Sequence, residues 1–141
     1  MAFENPSREA IKQILQDAKN IAVVGLSDRP DRVSYMVAAA MMDRGYRIIP
    51  VNPKATSILG ETCYPSLSAI PEPIDIVNVF RRSDAIPEVA EEAIAVGAKT
   101  LWTQLDIIHE GAAEACQAAG MTVIMDRCIK VEDAILKPER N

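Results

Sequence analysis

At 141 residues, with 49% of them hydrophobic, the chain holds enough apolar mass for one domain with a real core and too little for two. Its formal net charge of −5 argues against a nucleic-acid binder, which would show a basic face. No apolar run approaches the length of a membrane span. The opening MAFENPSREA lacks both the charged and the apolar region of a signal peptide.

The first element is a helix, capped by Asn5-Pro6-Ser7, with Ile11, Ile14, Leu15 and Ala18 at helical spacing. The apolar run 21–25 suits a strand buried on both faces, as in a parallel sheet. A polar loop leads to a helix from about Ser34, with Val37, Ala38, Met41 and Met42 inward and Gly45 as its stop. A second strand spans 47–51, where Pro50 is awkward because proline donates no ladder bond, so an irregularity is expected there. Residues 52–73 read as loop with a helical turn near 66–70. A third strand (74–80), a helix (86–96, closed by Gly97), a fourth strand (100–103), a helix (111–119, closed by Gly120), a fifth strand (122–125) and a short helix (131–136) complete the chain.

This alternation predicts an α/β, three-layer Rossmann-like fold: one domain over 1–141, with a five-stranded parallel sheet in the order 3-2-1-4-5. The ligand crevice is expected beside the first strand, where the order reverses.

The loop there runs from Gly25 to Ser34. Gly25 permits a tight turn, Ser34 is placed to cap the next helix, Ser27 offers a hydroxyl, and Arg29 and Arg32 offer charge, a combination that favours phosphate. The competing reading has Ser34 as a plain cap and the arginines neutralised by Asp28 and Asp31. The loop lacks the G-x-G-x-x-G pattern, and Asn52-Pro53-Lys54 stands where NAD proteins carry an acid for the ribose. A lysine there suits a nucleotide with a phosphorylated ribose, either coenzyme A or NADP; a merely exposed loop lysine is the alternative.

The segments VVGLSDRPDRVSYMVAAAMMDRGYRIIPVNPK, VNVFRRSD, LWTQ and MDRCIKVE, in that order, resemble the small stand-alone CoA-binding domain family. That family is similar to the CoA-binding domain of the succinyl-CoA synthetase alpha subunit. The resemblance implies coenzyme A held along the strand ends. Gly25, Ser27 and Ser34 would contact the pyrophosphate, Arg29 and Pro30 would shape the loop, and Pro53 and Lys54 would flank the 3′-phosphorylated adenosine. Phe80 and Arg81 would border the adenine or the pantetheine arm, with Trp102 and Gln104 near the outgoing arm. A glycine is usual after LWTQ; here Leu105-Asp106 follows, placing an acid near the crevice. The synthetase's phosphohistidine belongs to a ligase domain that this sequence does not contain.

No catalytic constellation is visible. His109, beside Glu110, reads as a loop histidine at a helix start, with a general base as the competing reading. Cys128 lies between Arg127 and Lys130, which would favour its thiolate and exchange with the CoA thiol; a buried structural cysteine beside an Asp126–Arg127 pair is the other reading. Trp102 is first a core residue, and Asp84, Glu88, Glu91 and Glu92 read as a solvated helix face. Three cysteines without ligand spacing and one histidine predict free thiols, no metal site and a cytoplasmic location. The expected function is binding of CoA or an acyl-CoA without catalysis. An NADP-dependent reductase and a CoA-sensing module acting on a protein partner are the alternatives.

Overall fold

Ser7 opens α1 (Arg8–Asp17) by accepting the Ala10 N–H, and Ile11 and Leu15 bury its inner face. The computed structural model describes residues 3–140. The chain continues through β1 (Asn20–Val24), α2 (Val33–Asp43) and β2 (Arg47–Val51). A small antiparallel hairpin, β3 (Ser57–Ile58) with β4 (Glu61–Thr62), and a 3-10 turn at Leu67–Ala69 interrupt the expected loop. Then come β5 (Ile76–Val79), a 3-10 turn at Ser83–Ala85, α3 (Ile86–Ala95), β6 (Thr100–Thr103), α4 (Glu110–Ala118), β7 (Thr122–Ile124) and α5 (Ile129–Leu136).

The parallel five-stranded sheet is as expected, but its order is not. The strands run β2-β1-β5-β6-β7, so counting sheet strands alone the order is 2-1-3-4-5 rather than 3-2-1-4-5. Pro50 supplies the physical reason. With no N–H it cannot serve an interior strand, and β2 is the edge, where the Pro50 carbonyl accepts the Tyr64 N–H at 3.0 Å. The missing donor faces away from β1. The order still reverses beside β1, between β1 and β5, which keeps the crevice where it was expected.

Alternate residues of each strand feed two cores, as a sheet covered on both faces requires. Ala22, Val24, Val77, Val79 and Leu101 pack against α3 and α4. Ile21, Val23, Ile48, Ile76 and Trp102 pack against α1, α2 and α5. On that second side Tyr46 donates its hydroxyl to Asp133 Oδ1 at 2.6 Å, and burial together with that carboxylate pushes the phenol well above its ordinary pKa. Arg140 stacks on the Tyr46 ring at 3.6 Å and donates to the Leu15 and Ala18 carbonyls, pinning the C-terminal segment to the end of α1. At the opposite edge the Asn5 amide lies along the residue following β7: Nδ2 donates to the Met125 carbonyl and Oδ1 accepts its N–H, both at 2.8 Å.

Candidate functional site

A cleft of about 820 Å³ opens at the carboxyl ends of β1 and β2. Its floor is Val24, Gly25 and Val51. The lining continues with Asn52, Pro53 and Lys54 after β2, Pro65 and Ser66, Arg81 after β5, and Glu88, Val89, Glu91 and Glu92 of α3.

Gly25 is required by geometry. Its φ is +84°, and a Cβ there would sit 2.6 Å from the Phe80 carbonyl oxygen. The Phe80 carbonyl thus occupies the space a side chain at Gly25 would need, just where β1 and β5 end. The Gly25 N–H donates to the Val51 carbonyl (3.1 Å), Phe80 N–H to Val24 (2.9 Å) and Gln104 N–H to Val79 (3.2 Å). These bonds set Gly25, Phe80 and Gln104 in a row across the ends of β1, β5 and β6.

The loop after β1 closes on itself. Ser34 does not cap α2; Arg32 holds that position, with no side-chain cap, and Ser34 lies buried in the first turn. Its hydroxyl accepts the Ser27 N–H at 3.0 Å, while the Ser27 hydroxyl accepts the Arg29 N–H at 3.1 Å. Local hydrogen bonding of serine thus shapes the loop and leaves the uncapped start of α2 facing it. Arg29 pairs with Asp31 at 3.3 Å, both exposed, which matches the neutralised reading for that arginine. Pro30 is exposed beside it.

Of the residues singled out from sequence, the cleft brings together Gly25, Pro53, Lys54 and Arg81. Ser27, Arg29, Pro30 and Ser34 form the neighbouring loop. Phe80 is half-buried and packs toward the α1/α2/α5 side. Trp102 is wholly buried, and its Nε1 donates to the Arg127 carbonyl at 2.9 Å, so its ring belongs to the core. Gln104 is half-buried, and its Oε1 is enclosed without a hydrogen-bond partner among the described residues.

Among the described residues, neither Lys54 nor Arg81 has an acidic partner within ion-pair distance, whereas Arg82 pairs with Asp84 at 2.9 Å. The α3 carboxylates are solvated as the sequence reading expected, with Glu88 and Glu91 exposed, and together with Glu92 they also line the cleft. Glu92 is tied by the Leu67 N–H (3.2 Å) and the Ser68 hydroxyl (3.1 Å), which fastens the 3-10 turn to α3. The cleft lining thus carries both signs of charge, Lys54 and Arg81 with Glu88, Glu91 and Glu92. Sequence reasoning also passed over Asn52 as a site residue, although its place directly after β2 and before Pro53 was a signal.

The groups considered for chemistry are occupied elsewhere. His109 caps α4 by accepting the Ala112 N–H on Nδ1 at 3.0 Å. All three cysteines are buried, and burial pushes the Cys63 and Cys116 thiols up. Arg127 lies 3.9 Å from Asp126, the pairing expected beside a structural Cys128. Asp106, the acid expected near the crevice, has φ +67° and donates its N–H to Asp126 Oδ1 at 2.7 Å. No group of three or more His, Cys, Asp or Glu able to hold a metal occurs among the described residues, and no helix there is long and apolar enough to cross a membrane.

The parallel sheet with helices on both faces is Rossmann-like, and residues 19–134 match the family model for the CoA binding domain; the chain belongs to that family. It is 54% identical over 135 residues to YneT of Bacillus subtilis (strain 168), an uncharacterised protein, covering 96% of this chain and all of that one. It is also 31% identical over 81 residues to an ADP-forming acetate–CoA ligase of Methanocaldococcus jannaschii, a match spanning 57% of this chain and 12% of the ligase. A solved structure of a hypothetical protein from Pyrococcus horikoshii OT3 superposes with a TM-score of 0.91 at 35% identity, over 97% of this chain and 99% of that one.

Proposed function

We propose that the chain binds coenzyme A, free or acylated, in this cleft and performs no reaction of its own. The observation that carries the reading is Lys54, just after β2 where a dinucleotide-binding Rossmann protein places an acid, with Arg81 lining the same cleft and neither in an ion pair among the described residues. They are the groups for the phosphorylated ribose. The uncapped start of α2, shaped by Ser27, Ser34, Arg29 and Pro30, faces the diphosphate. From there the pantetheine arm follows the row Gly25, Phe80, Gln104, about 10 Å over two strand spacings. Gln104, half-buried, ends that row. Trp102 supports that surface from inside. With His109 spent on a helix cap and the thiols buried, the residues around the cleft hold and orient.

Titration calorimetry with CoA, dephospho-CoA, NADP and NAD tests this. CoA is expected to bind about tenfold more tightly than dephospho-CoA, the contribution of a charge-assisted contact discounted for exposure. In Lys54→Ala that preference is expected to collapse. Equal binding of the two by the unaltered protein removes Lys54 from its role, and no binding of either overturns the reading.

A further inference from the structure

The turn after β2 is organised by a single half-buried side chain. Asn52 Oδ1 accepts the Lys54 N–H at 2.8 Å, and Nδ2 donates to the Leu26 carbonyl at 2.9 Å. Its backbone N–H donates to the Tyr64 carbonyl at 2.9 Å, and its carbonyl accepts the Cys63 thiol at 3.4 Å. One amide therefore touches both halves of the cleft: the loop that follows β1 and the turn that presents Lys54. The anchor on the β1 side is rigid, because the Leu26 side chain is completely buried.

We infer that Asn52 is the positioning residue of the site, setting where Lys54 enters the cleft and coupling that turn to the loop after β1. The inference rests on the proposed binding of CoA. Lys54 is exposed and carries its charge on a flexible stem, so the ammonium is only as well placed as the backbone beneath it. The Oδ1 contact to the N–H two residues on fixes that backbone in a compact turn. The Nδ2 contact holds the turn in register with the start of the first loop. The two contacts come from opposite ends of the amide and are separable by substitution.

Asn52→Ala removes both. Asn52→Ser keeps a neutral, weaker acceptor for the Lys54 N–H and is too short to reach Leu26. Calorimetry with CoA and dephospho-CoA reads the two functions apart: their affinity ratio reports Lys54, and affinity for dephospho-CoA alone reports the first loop. In Asn52→Ala the ratio is expected to fall about threefold to tenfold, the loss of one organising hydrogen bond. Asn52→Ser is expected to restore most of the ratio while binding both ligands more weakly. Thermal melting establishes that each variant is folded, and if Asn52→Ala is not, the serine variant alone decides. A folded Asn52→Ala with the unaltered ratio, or Asn52→Ser with unaltered affinity for both ligands, overturns the inference. Absence of any CoA preference in the parent protein overturns the Lys54 assignment first.

Discussion

Substituting alanine for Gly25 probes the closest backbone approach in the site. The residue has φ +84°, a region that costs a side-chain-bearing residue about 1 kcal/mol or more. The new Cβ would meet the Phe80 carbonyl oxygen at 2.6 Å, and backbone has no flexible end to swing aside. Relief requires the ends of β1 and β5 to part, which strains the Phe80–Val24 and Gly25–Val51 hydrogen bonds, each worth about 1 kcal/mol net. The sum is about 2–4 kcal/mol, or a fall in melting temperature of roughly 10 °C for a chain of this size. Gly97→Ala is the control: φ is +73° there, but nothing lies within 4 Å, so only the conformational cost of about 1 kcal/mol remains. Urea denaturation of the two variants isolates the clash as their difference. Equal losses would refute the assignment of Gly25 to a backbone contact.

Three further outcomes follow from the same geometry. Burial of Asp75 opposes its ionisation, but the Asn20 and Lys19 N–H groups and Lys99 outweigh it and hold its pKa below the ordinary range. Its stabilisation is therefore complete above about pH 4 and lost as pH falls through the lowered folded value, so acid unfolding of Asp75→Asn is expected to be flatter in that window; an equal slope counts against it. Glu88→Gln with Glu91→Gln takes two negative charges off the α3 wall, and calorimetry is expected to show CoA binding tightened about twofold to fivefold at low salt and less at high salt. Weaker binding would mean that those carboxylates contact the ligand. Asp106→Gly relieves φ +67° and is expected to stabilise by about 0.5 kcal/mol, net of the unfolded-state entropy glycine adds, as read from thermal melts; a loss of stability would show that the Asp106 side chain is used.

The strands were legible because buried parallel strands are continuous apolar runs, and Lys54 because its place is fixed by the strand it follows. The sheet order was missed although Pro50 carried the clue, since an edge strand is where a residue without a donor belongs. The α3 carboxylates were legible as a solvated face, but not as part of the cleft lining. Periodicity shows that Glu88 and Glu91 share the polar side of a helix, but not that this side overhangs a cleft, which depends on how α3 is seated on the sheet. For Trp102, matching a motif located the backbone at a strand end, while the two-residue alternation of the strand turned its ring into the core. Asn52 was passed over because its importance lies in contacts to Leu26 and Tyr64, distant in sequence.

Both margins of the sheet are shut by small means. On one side Pro50 withholds a donor and Tyr64 takes the carbonyl; on the other β7 is three residues long, and Asn5 imitates a neighbouring strand at its last outward position. A second chain finds little free ladder on which to add a strand, which guards a sheet this apolar against stacking edge to edge. Any protein that collects what the cleft holds must then meet it through loops and helix surfaces, at the end of the sheet where the ligand itself would emerge.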